Sequence, residues 1–132
     1  RSINREKFKY SRLIEELSNQ DSRQKIILNK YIKLLKVRSK RVAFHPKSSQ
    51  RIIEIDSNVF CLLRGEETNE PILCLINVAS IRKLLSLNLL ELKLPKINEA
   101  KELLSLEKIY LRNNLLNVQL DPYQVKWFSI AD

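Results

Sequence analysis

The sequence predicts an α+β fold, in which two N-terminal helices precede an antiparallel all-β domain of about seven or eight strands. Three observations carry this prediction. Apolar residues recur at helical spacing before residue 40, short apolar runs bounded by turn residues follow residue 41, and residues 116–120 alternate between apolar and polar. We therefore place a helical segment at residues 1–40 and a β-domain at residues 41–132.

The first candidate helix covers residues 12–17. Its apolar residues Leu13, Ile14 and Leu17 share one face, and Ser11 is the predicted N-cap, because a serine oxygen accepts a hydrogen bond from the first helical turn. The helix should end near residues 18–20, where Ser, Asn and Gln follow one another.

The second candidate helix begins at Asp21, which is followed by Gln24 as in a capping box, and it ends near Ser39. Its apolar positions cover roughly two thirds of the circumference, which is wider than the stripe of an ordinary surface helix. We expect one apolar group to dock on the β-domain and the other to remain bare, which predicts self-association. The two groups are Ile26, Ile27, Leu34 and Val37, and Leu28, Tyr31, Ile32 and Leu35.

The centre of the β-domain is predicted at residues 59–64 and 72–78, two apolar runs that flank a polar turn with the only glycine, Gly65. Neither run alternates, which indicates strands covered on both faces. With residues 51–56 they form a three-stranded meander. Further strands are predicted at 83–87, 116–120 and 123–130. Residues 100–104 and 108–111 are each predicted to be a short strand or a turn, and residues 88–95 are predicted to be irregular.

The two cysteines, Cys61 and Cys74, fall in the two central strands. They are compatible with a disulfide across the ladder or with two buried thiols, and the thiols of a cytosolic protein are the favoured interpretation. Two cysteines and one histidine make no metal-ligand spacing, so we expect neither a metal nor a cofactor.

Residues typical of catalytic sites are not grouped in this sequence. His45 precedes Pro46 and has no nucleophile and orienting acid beside it, which favours a structural role. Glu66, Glu67 and Glu70 share one turn, and no second acidic cluster completes the carboxylate pair of a glycosidase. We therefore predict no catalytic residue, and no enzymatic activity for this chain alone.

The net charge of +9 is unevenly distributed. Residues 1–51 contain 15 Lys and Arg against 4 Asp and Glu, whereas residues 52–132 contain 9 against 11. One alternative function is therefore a basic nucleic-acid-binding or protein-interaction module that uses residues 1–51. No Gly-rich loop, finger spacing or aromatic stripe accompanies the charge, so the sequence disfavours nucleic acid as a partner. A third hypothesis is a carbohydrate-binding module that uses Tyr123 and Trp127.

The chain contains neither an apolar run near the roughly 20 residues that span a bilayer nor a secretory signal. We accordingly predict a cytoplasmic protein without a membrane partner. The chain begins at Arg1 and not at Met, which suggests a fragment of a longer protein.

A set of motifs in a fixed order resembles the C-terminal end of the α-amylase superfamily, glycoside hydrolase family 13, and is most similar to its sucrose phosphorylase-like branch. The motifs are SINR at 2–5, YIKLLKVR at 31–38, AFHP at 43–46, VFCLLR at 59–64, LCLINV at 73–78, ELLS at 102–105 and LDPYQVKW at 120–127. The set covers nearly the whole chain. One departure is Leu106, at a position where the family usually has glycine.

The resemblance implies the last barrel helices and the amylase-type C-terminal β-domain of a retaining α-glucosyl-transferring enzyme. It implies the catalytic barrel as the main partner, and an α-glucoside substrate only through that barrel. Asn4 and Arg5 match a family segment at the edge of the substrate- and phosphate-binding mouth, where the fork of an arginine holds phosphate or sugar hydroxyls. The isolated fragment is a candidate homo-oligomer.

Overall fold

The computed structural model describes residue 7 and residues 9–131, and the α+β prediction is confirmed within these residues. The helices are α1 (Tyr10–Ser18), α2 (Arg23–Ser39) and a 3₁₀ helix (Val42–Phe44). The strands are β1 (Gln50–Asp56), β2 (Val59–Arg64), β3 (Ile72–Asn77), β4 (Lys83–Asn88), β5 (Glu99–Glu102), β6 (Lys108–Tyr110), β7 (Leu115–Leu120) and β8 (Val125–Ser129).

The chain divides into two compact units, the first ending at Lys36 and the second beginning at Val37. The division falls in the last turn of α2, a few residues before the boundary at 40 and 41 that the sequence predicts. All eight strands of the described chain belong to the second unit. The assignment of the helices and the β-domain to separate domains stays a prediction, because compactness alone does not establish independent folding.

Helix α1 begins one residue before the predicted cap. Lys9 occupies the N-cap position with φ −74° and ψ 124°, and its side chain makes no capping hydrogen bond. Ser11 therefore lies inside the first turn, and the prediction of Ser11 as N-cap is wrong. An exposed pair between Arg12 Nε and Glu16 Oε1, 3.0 Å apart, joins two successive turns of the helix.

Helix α2 is capped by Ser22 and not by Asp21. The Ser22 hydroxyl oxygen accepts a hydrogen bond from Lys25 N–H at 3.1 Å, and the Ser22 carbonyl accepts one from Ile26 N–H at 3.0 Å. Asp21 instead donates its own N–H to Asn19 Oδ1 at 3.0 Å. The predicted capping box of Asp21 and Gln24 is therefore not formed, and Ser22 alone satisfies an orphan donor of the first turn.

The strands form two antiparallel sheets. The six-stranded sheet has the order β1-β2-β3-β8-β5-β6, and the two-stranded sheet pairs β4 with β7. The predicted meander is confirmed, since β1 pairs with β2 and β2 pairs with β3. Strand β8 then returns beside β3, which places the last strand at the centre of the sheet.

A hydrophobic core lies between the two sheets. The two-stranded sheet contributes Leu87, Leu116, Val118 and Leu120, and the larger sheet contributes Cys61, Leu63, Leu73, Leu75 and Phe128. The segment between β4 and β5 has turns and no strand, as predicted, yet it buries Leu89, Leu94 and Ile97 in the same core. We call the opposite side of the six-stranded sheet its outer face.

The prediction that both central strands are covered on both faces holds only for β3. In β2 the side chains of Val59, Cys61 and Leu63 are buried, whereas Phe60 is 41% exposed on the outer face. In β3 the side chains of residues 72–75 are all buried. Strand β2 therefore has one face in the core and one face that is only partly covered.

Candidate interaction surfaces

One part of the outer face is covered by the segment that follows α2. Ala43, in the 3₁₀ helix, is 1% exposed and packs in a cluster with Ile72, Cys74 and Leu103. Phe44 and Trp127 lie at the edge of this cluster, and their ring centroids are 4.6 Å apart at an interplanar angle of 48°. A tilted aromatic pair of this kind adds to the apolar contact. The 3₁₀ helix is thereby fixed on the sheet.

Arg64 ties the same segment to β2. Its Nε donates to the carbonyl oxygen of Ala43 at 3.3 Å, and its Nη2 donates to the carbonyl oxygen of His45 at 2.9 Å. Its Nη1 donates to Gln50 Oε1 at 2.8 Å. The guanidinium thus satisfies carbonyls that no regular ladder reaches. Sequence reasoning missed this role, since an arginine at the end of a strand has no distinctive signal.

A second group of hydrogen bonds joins the segment that follows α2 to the turn between β2 and β3 and to the end of β8. Arg41 Nη1 donates to both carboxylate oxygens of Glu70, at 2.7 and 2.6 Å, and Ser129 Oγ donates to Glu70 Oε1 at 2.9 Å. The Arg41 and Glu70 side chains are each about one third exposed. These three residues are far apart in the sequence, so no local pattern could have brought them together. Charge-assisted hydrogen bonds of this kind fix geometry as well as contributing energy.

The acidic turn between β2 and β3 uses its other carboxylates in the same way. Glu66 pairs with Arg51 through two hydrogen bonds, at 2.8 and 3.2 Å, and this pairing raises the pKa of the Arg51 guanidinium. Glu67 accepts hydrogen bonds from the hydroxyl and the N–H of Ser49, which lower the pKa of the Glu67 carboxyl. Each carboxylate of this turn therefore has a structural partner.

The two cysteines lie on opposite faces of the six-stranded sheet. Cys61 is paired with Leu75 and packs in the main core, whereas Cys74 is opposite Leu62 and packs in the outer cluster. Neighbouring residues of a strand point to opposite faces, so the two sulfur atoms cannot meet. Both are free thiols, and burial raises the pKa of each to about 12. The prediction of two buried thiols is confirmed.

The remaining candidate residues are not brought into one site. The His45 ring accepts a hydrogen bond from Lys47 N–H at its Nδ1, 3.2 Å away, which is a local turn contact. Trp127 packs against Phe44, whereas Tyr123 is exposed, so the two aromatic rings do not form the platform of the carbohydrate-binding hypothesis. Asn4 and Arg5 lie outside the described residues.

The described part of the chain contains no cluster of three or more His, Cys, Asp or Glu side chains placed to hold a metal ion. None of its helices has the length and apolar character that crossing a membrane requires. Nucleic-acid or protein binding through residues 1–51 stays a prediction.

The apolar side chains of the helices are largely uncovered. No residue of α1 or α2 is buried. In α2 the exposed apolar residues come from both predicted groups and are Ile26, Ile27, Tyr31, Ile32 and Leu35. The other three of the eight, Leu28, Leu34 and Val37, are half-buried. Exposed apolar side chains in this number are typical of a surface that contacts another part of a protein.

Comparison with known proteins gives two relatives of one kind. The chain is 38% identical over 84 residues to a glucosylglycerate phosphorylase of Spirochaeta thermophila, and 42% identical over 78 residues to one of Allomeiothermus silvanus. These matches cover 63% and 59% of the chain but 14% of each relative. The matched part is the C-terminal part of the phosphorylases. No protein-family model matches the chain.

Among solved structures, an Anoxybacillus α-amylase superposes with a TM-score of 0.68 at 17% identity, over 86% of this chain and 24% of the amylase. This likeness establishes the fold, which is that of an α-amylase-type glycoside hydrolase region. The resemblance of the chain to the C-terminal region of α-amylase superfamily enzymes is therefore confirmed. The two relatives found by sequence similarity are both glucosylglycerate phosphorylases.

Proposed function

We propose that the chain is the non-catalytic C-terminal region of a sucrose phosphorylase-like enzyme, and that it supports the catalytic barrel of that enzyme. The single observation that carries the proposal is the 38% identity to the C-terminal part of a glucosylglycerate phosphorylase. The uncovered apolar side chains of α2 support it, because a barrel packed against these helices would remove them from water.

The reaction proposed for the whole enzyme is phosphorolysis of a glucoside. The names of the relatives make glucosylglycerate the first substrate to test, with sucrose as the second. In the described residues the carboxylates of Glu66, Glu67 and Glu70 have structural partners, so the acid and base chemistry belongs to the barrel in this proposal. The β-domain acts by holding the last helices in position.

We also propose that Asn4 and Arg5 lie at the substrate or phosphate edge of the assembled enzyme. The support is their match to the family segment and the chemistry of arginine, whose planar fork binds phosphate oxygens bidentately. Arg5→Lys in the whole enzyme should raise the KM for phosphate more than it lowers kcat, because lysine retains the charge and loses the fork. An Arg5→Lys enzyme with the same KM for phosphate and the same kcat as the unchanged enzyme would contradict this role.

A cytoplasmic location is proposed on the two free thiols, Cys61 and Cys74. Thiols persist in reducing compartments, whereas secreted domains commonly pair their cysteines. Fractionation of cells that express the natural polypeptide, followed by detection with an antibody against this chain, tests the location.

The test of the function uses the gene that encodes the chain. The polypeptide that includes the coding sequence upstream of residue 1 is purified, and phosphate consumption is followed with glucosylglycerate and with sucrose. We expect turnover by this polypeptide and none by residues 1–132 alone. Absence of phosphorolysis with any glucoside, or turnover by residues 1–132 in proportion to their concentration, would refute the proposal.

A further inference from the structure

The outer face of the six-stranded sheet has a bare part beside the cluster of Ala43. In the register of the strands, Phe60 lies opposite Ile76, and Ile76 lies opposite Val125. In the next row Ile52 lies opposite Leu62. Paired residues of an antiparallel ladder project from the same face, so these side chains form one apolar surface. We call these five residues the bare half-face.

The bare half-face differs in burial from the rest of the same outer face. Phe60 is 41% exposed and Ile52 is 66% exposed, whereas Ile72 and Cys74 of the adjoining cluster are nearly inaccessible. Leu62, Ile76 and Val125 are half-buried between these extremes, and Leu62 marks the boundary because it also packs against the cluster of Ala43. The 3₁₀ helix covers one end of the outer face, and the apolar side chains at the other end remain exposed to water.

Charge is nearly absent from this surface. The chain has 24 Lys and Arg. On the outer face of β1, β2, β3 and β8, however, the only charged residues are Glu54 and Arg64. The Arg64 donors are taken by the carbonyls of Ala43 and His45 and by Gln50. Glu54, at the rim, makes no ion pair with the residues that the structure describes. An apolar centre with charge at its rim is the composition of a protein interface.

We infer that the bare half-face is the surface on which the preceding, catalytic part of the same polypeptide packs. This inference rests on the proposed function and names the contact through which support is given. The comparisons indicate which partner covers the bare half-face. The chain matches 14% of each phosphorylase, in its C-terminal part, so most of the length of each phosphorylase precedes the match. The segment that follows α2 already covers one end of the outer face, and the proposed contact would cover the other end.

Hydroxyl-radical footprinting tests the inference on the natural polypeptide and on residues 1–132 alone. Side chains are oxidised at rates that follow their exposure to water. We expect the oxidation of Phe60 and Ile52 to fall severalfold in the longer polypeptide. Leu84, which is 77% exposed on β4 of the other sheet, should be oxidised equally in both. Dilution of residues 1–132 before exposure separates this protection from self-association.

A matched pair of variants gives a second measurement. Phe60→Asp places a charge on the bare half-face, and Leu84→Asp places one on the exposed side of β4. In the longer polypeptide we expect Phe60→Asp to lower the Tm by several degrees and Leu84→Asp to leave it unchanged. In residues 1–132 alone the two variants should be alike.

The outcomes separate this inference from the proposed function. If the longer polypeptide phosphorolyses a glucoside while Phe60 and Ile52 are oxidised as fast as in the isolated chain, the inference is wrong and the function stands. Protection that appears only at high concentration would assign the surface to a second copy and would also overturn the inference. If Phe60 and Ile52 are protected in the longer polypeptide but that polypeptide phosphorolyses no glucoside, the packing surface stands and the proposed function is wrong.

Discussion

Gly65 and Ala43 approach so closely that the glycine position has no room for a side chain. A Cβ atom on Gly65 would lie 2.6 Å from both Cα and Cβ of Ala43, and the backbone of Gly65 has φ +63°. The chain leaves β2 at this glycine and passes beneath the 3₁₀ helix. The close approach therefore fixes the distance between the turn and the segment that leads out of α2.

Gly65→Ala should lower the free energy of unfolding by about 3 kcal/mol, as the sum of a left-handed backbone cost and an overpacking cost. Urea denaturation followed by Trp127 fluorescence measures the change. The double variant Ala43→Gly/Gly65→Ala should recover only part of the loss, because the backbone of residue 43 still crowds the new methyl group and the positive φ remains. An unchanged midpoint in Gly65→Ala would contradict the close approach.

The Arg41–Glu70 pair should contribute more to stability than the Arg12–Glu16 pair within α1, because Glu70 accepts hydrogen bonds from two side chains. Glu70→Ala removes the acceptor of Arg41 and of Ser129, and it should cost about 1–2 kcal/mol because charge-assisted hydrogen bonds of half-buried groups are lost. The matched control is Arg12→Ala, which breaks an i,i+4 pair on α1 and should cost only about 0.3–0.5 kcal/mol. Equal losses in the two variants, measured by urea denaturation, would show that the additional hydrogen bonds of Glu70 add nothing to stability.

The strand pattern was predictable because it depends on local sequence. Gly65 and Pro71 separate β2 from β3, Asp121 and Pro122 separate β7 from β8, and the alternation from Leu116 to Leu120 is visible without any tertiary information. The start of α2 was also predictable to within one residue, since Ser22 provides the N-cap in place of the predicted Asp21. Such boundaries depend on which of two neighbouring polar side chains points back to the helix, and the sequence does not determine this.

Contacts between distant residues were not predictable. Arg41, Glu70 and Ser129 meet only because β8 returns beside β3, and nothing in their immediate sequence indicates that pairing. The exposure of Phe60 was also missed, since an uninterrupted apolar run gives no sign of which face remains open. Cys61 and Cys74 project from opposite faces because Cys74 pairs with Leu62 and not with Cys61. The sequence does not determine this pairing register, which is visible only in the structure.

Leu106 retains a backbone geometry that suits glycine. It has φ +67° and an exposed side chain, and its N–H donates to the Glu102 carbonyl at 2.8 Å. The family that the sequence resembles usually has a glycine at this position. The turn is nevertheless closed, and the buried Glu102 carboxylate accepts the N–H groups of Leu104, at 3.1 Å, and Ser105.

Leu106→Gly should raise the free energy of unfolding by about 1 kcal/mol, because the cost of a left-handed leucine exceeds the entropy cost of a glycine. Leu106→Ala is the matched control, since alanine shortens the side chain and keeps the backbone cost, and it should leave stability nearly unchanged. Thermal unfolding followed by circular dichroism compares the three proteins. A lower Tm for Leu106→Gly would mean that the leucine side chain stabilises the turn by contacts.

The last prediction concerns the uncovered apolar side chains of α2. Ile26, Ile27, Tyr31, Ile32 and Leu35 are exposed, so the eight apolar residues of the helix are not all buried in one copy of the chain. Exposed apolar patches of several hundred Å² tend to associate. We expect residues 1–132 alone to self-associate with rising concentration, as measured by sedimentation velocity.

Leu35→Asp should shift this distribution towards the monomer, because association would then bury an unpaired carboxylate. Lys33→Glu, two residues away on the same helix, is the control and should have little effect, since an exposed charge is screened by salt. Association in Lys33→Glu but not in Leu35→Asp places the contact on the apolar residues of α2. A protein that is monomeric at every concentration, or a Leu35→Asp variant that associates as before, would contradict the prediction.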